Sequence, residues 1–453
     1  MATVEIDNLG IPPLAGLCSY AEACRPGYEV EQTVDLLKRY NYVATRLNAI
    51  FAAHLAHTPE WEVKCALSLH LWLDAEHSAA LRRRVGEMRE PPLHLDQVPE
   101  ARLQAWLEEV LRARSTVELL IGVYRVVKPA LIEALTRHLA EMNPLADHPT
   151  RRTLTLILRE QQEMVAWGAQ ALAALTRRAE AAAEAASWEQ HLQAYLAAAG
   201  GIAGPALPEG PRLPAPRADG RPYEMDAVPQ RDGRFHDSFN SSARIDEYYA
   251  DEARPLDERV YALLYKRLRE MDVPEWMAPI IYKAHGKPWD YYADLSRQLW
   301  DEARHAMLGE VGLYRDGMPF YAYPLDLKSS QSLNTQMSPL EAHLVLWHIE
   351  QGLMPHTGKR REFNIAQEAN DPLATVFQDF DWADEVLHAQ IGRRWLASEF
   401  GSPEEMRAAA ETARANWTQT WETLRPLSAQ QEWWPAFLAD IRHRRELRRQ
   451  TPA

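Results

Sequence analysis

Cysteine is scarce. Cys18, Cys24 and Cys65 are the only three in 453 residues. An odd, small number without metal-type spacing offers neither a disulfide framework nor a zinc site, so a reducing cytoplasm is the expected setting. Basic charge is also short: 50 Lys and Arg stand against 64 Asp and Glu, for a formal net charge of −14. That excludes a general nucleic-acid binder, which needs a basic face. No apolar run approaches the roughly 20 residues needed to span a bilayer. The start, Met1-Ala2-Thr3-Val4-Glu5, lacks the basic and then apolar pattern of an export signal. Strand-type alternation is rare, and no nicotinamide or flavin fingerprint is present. Reducing equivalents for any redox chemistry would therefore come from a partner protein, a small reductant or the substrate.

What is abundant is helical periodicity, carried by Ala, Leu, Glu and Arg. It predicts helices at about 31–57, 60–89, 99–114, 116–142, 150–180 and 183–199, and again at about 244–271, 274–285, 289–314, 339–357, 372–399, 403–425 and 428–449. Between the two series lies Gly200 to Pro222, with six prolines and five glycines. That composition makes a linker, not a core. The expected organisation is all-α: a helical bundle over 1–197, a Pro/Gly-rich linker over 198–242, and a second bundle with C-terminal helices over 243–453. Ser338-Pro339-Leu340-Glu341 places a cap, a first-turn proline and a capping-box Glu in order, so Glu341 reads as a helix-start residue.

The chemistry concentrates in two Glu-x-x-His motifs, Glu302-Ala303-Arg304-His305 and Glu385-Val386-Leu387-His388. Residues three apart share a helix face, so each motif aims a carboxylate and an imidazole at one point. Two such motifs plus a Glu from each of two further helices make the ligand set of a dinuclear carboxylate site. The third helix supplies Glu350, the lone acid closing the run Leu344-Val345-Leu346-Trp347-His348-Ile349. The first helix supplies Glu275, an acid among apolar residues just after the helix-breaking Pro274. Glu270 is its rival, set beside Lys266-Arg267-Leu268-Arg269, which reads as solvated. The expected metal ligands are thus Glu275, Glu302, His305, Glu350, Glu385 and His388, with Glu302 and Glu385 bridging two metals. Asp301 and Asp384, which precede the motif glutamates, are candidate acceptors for the opposite imidazoles. Hard oxygen ligands with two imidazoles suit iron or manganese. His343 and His348 read as packing or surface residues, with His348 a weaker candidate for a supporting role.

The halves also resemble each other. At an offset of 228, Trp61 falls on Trp289, Leu71-Trp72 on Leu299-Trp300, Asp74 on Glu302 and His77 on His305. At 225, Arg125 falls on Glu350, Glu160 on Glu385 and Glu163 on His388. The first half then reads as a bundle that kept the fold and lost the metal. Arg125 would supply a fixed positive charge beside Glu160 or Glu163.

Through Asp301-Glu302-Ala303-Arg304-His305 and Asp384-Glu385-Val386-Leu387-His388, residues 274–399 resemble the ferritin-like di-iron carboxylate superfamily, and 31–180 a degenerate copy. The resemblance implies two ferritin-like four-helix bundles in tandem, the first degenerate. It implies two Fe ions (or Mn, or a mixed pair), O2 as co-substrate and oxidation of a small organic molecule. It also leaves room for an electron-donor protein and a homodimer. Iron handling by a ferroxidase, and a structural role with a vestigial site, are the alternative readings.

Overall fold

A computed structural model describes residues 6–177, 179–204, 211–218 and 220–450. Among them every regular element is helical and none is a strand, as expected for an all-α chain. None of these helices is long and apolar enough to cross a membrane. The chain divides into two compact units: residues up to 50 with 73–223, and residues 51–72 with those from 224 onward. Residues 51–72, which the linear division assigned to the first bundle, therefore belong with the second unit.

Two long helices, α1 (Val30–Leu55) and α2 (Trp61–Met88), carry the chain through residues of both units. The first unit continues with α3 (Ala101–Leu111), α4 (Thr116–Leu120), α5 (Lys128–Glu141), α6 (His148–Leu175) and α7 (Ala179–Ala198). Ser115 caps α4 and Asp147 caps α6, each accepting a backbone N–H of the first turn. A wide π turn, Ile121–Val127, joins α4 to α5. From Ala199 to Arg244 the described residues form no helix, and 205–210 and 219 of the expected linker lie outside them. Part of this segment is docked. Arg217 pairs with both Glu118 oxygens and lies 3.7 Å over the Trp188 ring.

The second unit holds α8 (Ile245–Ala250), α9 (Leu256–Arg269), α10 (Asp272–Lys283), α11 (Trp289–Arg315), α12 (Lys328–Gln336), α13 (Pro339–Leu353), α14 (Lys359–Glu368), α15 (Pro372–Leu396), α16 (Pro403–Leu424) and α17 (Trp434–Gln450). Helices α9 and α10 pack on α11, α11 on α15, α15 on α13, and α13 back on α10. The predicted capping box at Ser338 and Glu341 is formed. Gly309 lets α11 approach α9 closely, since a Cβ there would lie 2.4 Å from the Leu268 nitrogen. Helix α17 covers α9 from outside, with Trp434, Phe437 and Ile441 buried in an aromatic cluster around Tyr261 and Tyr265.

One break matters for the site. The sequence predicts a helix to about 271, interrupted by Pro274. In the structure α9 stops at Glu270, and Pro274 sits in the first turn of α10. Pro274 has no N–H to give the Glu270 carbonyl four residues earlier, so the helix cannot run through. Val273 instead donates to that carbonyl at 3.0 Å, closing a tight turn. Glu270 thereby stands at a joint between two helices.

Candidate metal centre

Helices α11 and α15 bring the two motifs face to face, with the rings of His305 and His388 5.9 Å apart. His388 Nδ1 lies 3.1 Å from Glu302 Oε1 and 3.5 Å from Glu385 Oε2. His305 Nδ1 lies 3.6 Å from Glu302 Oε2 and 3.6 Å from Glu270 Oε2. Glu350 enters from α13, and its Oε1 accepts a hydrogen bond from Gln298 at 3.2 Å. Three donor groups result: Glu302 with Glu350, Glu385 and His388; Glu270 with Glu302 and His305; and His305 with Asp381 and Glu385. Within each group the ligating atoms lie within 4.8 Å of one another, the spacing a bound cation requires. Glu302 belongs to the first two, Glu385 to the first and third, and His305 to the second and third.

Five of the six expected ligands are therefore brought together: Glu302, His305, Glu350, Glu385 and His388. Glu275 is a correction. It is fully buried in a separate cluster, ion-paired with Lys64 and Arg231, and 3.4 Å from the Ser330 hydroxyl. Glu270 takes the first-helix place. The solvated reading of its neighbours fails because Lys266 and Arg267 are themselves buried, paired with Glu362. A cationic run on a helix is normally a wet face; here buried acids on α14 and α15 receive it.

The imidazoles are oriented by crossed aspartates. His305 Nε2 lies 3.1 Å from Asp384 Oδ2, and His388 Nε2 lies 3.4 Å from Asp301 Oδ2. Each aspartate precedes the motif glutamate on the opposite helix, as the sequence predicts. Burial alone would raise the Asp301 carboxyl. Hydrogen bonds from His388, Arg304 and Arg297 instead hold it well below the usual carboxylate range. A charged acceptor at Nε2 favours the tautomer with the proton there, in which Nδ1 offers its lone pair to a cation. Both Nδ1 atoms are buried without a hydrogen-bond partner, as are Glu270 Oε2 and Glu385 Oε2.

These four atoms are the fit test for a metal, and the residues pass it. Unsatisfied buried polar atoms are costly, and here they converge from three helix segments on the same small volume. Burial, then the negative charges of Glu385 and Glu302, push the Glu350 carboxyl far above its ordinary value. A divalent cation is the charge that would reverse this crowding.

Three neighbours were not expected. Asp381 lies 3.4 Å from His305 Nδ1, and Lys359 Nζ lies 2.9 Å from both Asp381 oxygens and 2.7 Å from Glu385 Oε1. Arg267 pairs with Asp381, and its Nη2 lies 3.1 Å from Glu270 Oε1. Asp381 could have been read as one helical turn before Glu385 on the same face. Nothing local marks Lys359, which lies beyond the predicted end of the preceding helix. His348 faces away and accepts from Arg414 at 2.9 Å.

In the first unit the corresponding positions hold no such set. Asp74 and His77 sit on α2 as Glu302 and His305 sit on α11, and both helices begin at the aligned tryptophans, Trp61 and Trp289. The second block aligns one residue away from the sequence expectation. Asp147 and Asp371 both cap their helices, and Gly168 and Gly392 both lie under a ring, of Tyr124 and Trp347 respectively. The offset is 224, so buried Gln161 and Met164 correspond to Glu385 and His388. Glu160 instead pairs with His77 at 2.6 Å, and Glu163 is exposed with Arg159. Arg125 is likewise a correction, since it pairs with Glu189. The fixed cation is Lys128, with Nζ 2.8 Å from Asp74 Oδ2, 2.9 Å from Gln161 Oε1 and 3.0 Å from Met164 Sδ. The π turn explains how it gets there. Lys128 follows Tyr124 by four residues where Glu350 follows Trp347 by three, and the wider turn absorbs the extra residue.

Asp74 yields a pH prediction. Burial would raise its carboxyl, but the Lys128 ammonium and His77 outweigh burial and bring it down to about 2. A depressed folded pKa stabilises above the unfolded value and is lost as pH falls through the folded one. The window thus runs from about pH 4 down to about pH 2, and its size is about 2 kcal/mol. Urea unfolding of the native chain and Asp74→Asn should show a stability gap that narrows across that window; a gap independent of pH would contradict it.

Comparison with known proteins found no matching family model, no matching curated protein and no matching solved structure.

Proposed function

We propose that the second unit is a ferritin-like four-helix bundle holding a dinuclear, non-haem iron site. In this reading the chain is an O2-dependent oxidoreductase, an oxygenase or oxidase, acting on a small organic substrate. The observation that carries the reading is the pair of Asp-backed imidazoles whose Nδ1 atoms face three buried glutamates and the part-buried Glu270. Glu302, Glu385, Glu350, Glu270, His388 and His305 are the side chains that would hold the two ions. Two bound ferrous ions would supply the electrons for reducing O2. The chain's own contribution is geometric and electrostatic. Asp301 and Asp384 fix the imidazole tautomers, Gln298 orients Glu350, and burial of Glu302, His305, Glu350, Glu385 and His388 limits access of bulk water. The first unit, with Lys128 in place of a metal, is read as a degenerate copy of the same bundle.

The test is anaerobic loading of the purified chain with Fe2+, followed by rapid mixing with O2 and with a panel of small organic reductants. About two ions per chain, oxidised in step with substrate turnover, is the expected result. Failure to retain iron would overturn the site, and mineral growth beyond the dinuclear complement would move the reading to iron storage.

A further inference from the structure

Helices α11 and α13 begin, and α10 and α15 end, around a cavity of about 150 Å³ in the second unit. Ile280, Tyr291, His343 and Leu396 are its buried lining. Lys287 and Glu399, both partly exposed, stand at its rim and pair with each other. The cavity is distinct from the metal centre. His343 precedes Glu350 by seven residues on α13, Tyr291 precedes Gln298 by seven on α11, and Trp395, also in the lining, follows His388 by seven on α15. Seven residues are two turns, so the cavity lies about 10 Å along these helices from the donors, on the same faces. His343 is 3% exposed, and its Nε2 is buried without a hydrogen-bond partner. The Tyr291 ring meets the imidazole edge-on at 6.1 Å. Burial, helped by the nearby Lys287 charge, pushes the imidazole down to about 4, so it is uncharged at neutral pH. Trp395 gives its Nε1 proton to Asp294 at 2.8 Å.

We propose that this cavity binds one small, uncharged, largely apolar molecule bearing a hydroxyl group, with the hydroxyl on His343 Nε2. An apolar cavity of about this volume holds a molecule the size of benzene. A buried nitrogen left unpaired is costly, and a ligand group that meets it recovers that cost. A hydroxyl both donates and accepts, so it can pair with a neutral imidazole nitrogen in either tautomer. A carboxylate or ammonium group would have to be desolvated among Ile280, Leu396 and the aromatic rings, while Lys287 and Glu399 neutralise each other. None of the lining side chains is a metal donor, so the inference stands apart from the dinuclear reading.

The test is calorimetry of the full chain with phenol and with benzene. The native chain should bind one phenol and prefer it to benzene by about tenfold, the worth of one hydrogen bond. His343→Leu should weaken phenol binding by about tenfold and leave benzene binding nearly unchanged. Ala284→Trp, which places a large ring in the cavity wall, should abolish both. Circular dichroism identifies any variant that does not fold, and the native preference decides the matter independently of the variants. No saturable phenol binding, equal binding of phenol and benzene, or a folded variant of either kind that binds phenol as before would overturn the inference. Phenol binding by a chain that retains no iron would leave it standing and overturn the metal site; iron binding without phenol binding would do the reverse.

Discussion

In the proposed dinuclear centre, Glu302→Ala is expected to empty both metal positions at once and to lower the proposed O2-dependent turnover by about 100-fold or more. Glu302 joins the donor group of Glu350 to that of Glu270, with Oε1 toward His388 and Oε2 toward His305. Glu350 serves only the first group and Glu270 only the second, so their replacement should cost one position each. The metal-free chain should not unfold with this change. Glu302 has no lysine or arginine partner to strand among the described residues, and its removal relieves the crowding that lifts the Glu350 carboxyl. Metal analysis after dialysis, together with a thermal melt, checks both halves. A Glu302→Ala chain that keeps two ions would remove the bridging assignment.

The second large effect separates two acids that the sequence leaves as rivals. Glu275→Gln should cost about 3–5 kcal/mol of stability while metal content stays at the native level. Its carboxylate is the buried partner of both Lys64 and Arg231. Burial already presses the Lys64 ammonium down to about 8, and the neighbouring Glu275 charge is the main influence opposing that fall. Taking the charge away leaves two buried cations facing an amide. Glu270→Gln should do the reverse, losing the ion held with His305 and changing the melting temperature little. Denaturant unfolding and metal stoichiometry on the same two proteins read out this exchange. A stable Glu275→Gln chain that has lost an ion would restore Glu275 as the ligand.

Glu275 has the sequence surroundings of a metal ligand. It lies among Val273, Pro274, Trp276 and Met277, and an acid in apolar company looks like a ligand. Burial is real there, but burial of an acid asks only for a positive partner, and Lys64 is 211 residues away in the chain. Long-range pairing of that kind leaves no local trace. Glu270 misleads in the opposite way: its cationic neighbours suggest water, yet Arg267 is among the most deeply buried side chains. The helix-borne features were legible because they are local. The i, i+3 motifs, the aspartates one residue before them, the Ser338 cap and the all-helical character all follow from spacing along one helix. The register of the first half was not, because a π turn shifts the pairing by one residue and nothing in the side chains announces it. Lys359 and Asp381 were missed since their role depends on how α14 folds back against α15.

The crossed aspartates have a mechanical meaning. Asp301 on α11 steadies the imidazole of α15, and Asp384 on α15 steadies that of α11, while Arg304 ties the two aspartates together. A slide of one helix past the other by a single turn, about 5.4 Å, would misalign both histidines together, whichever helix moved. Register between α11 and α15 is therefore locked from both sides. Substitutions that loosen that packing far from the acids should register first as a joint loss of both imidazole donors.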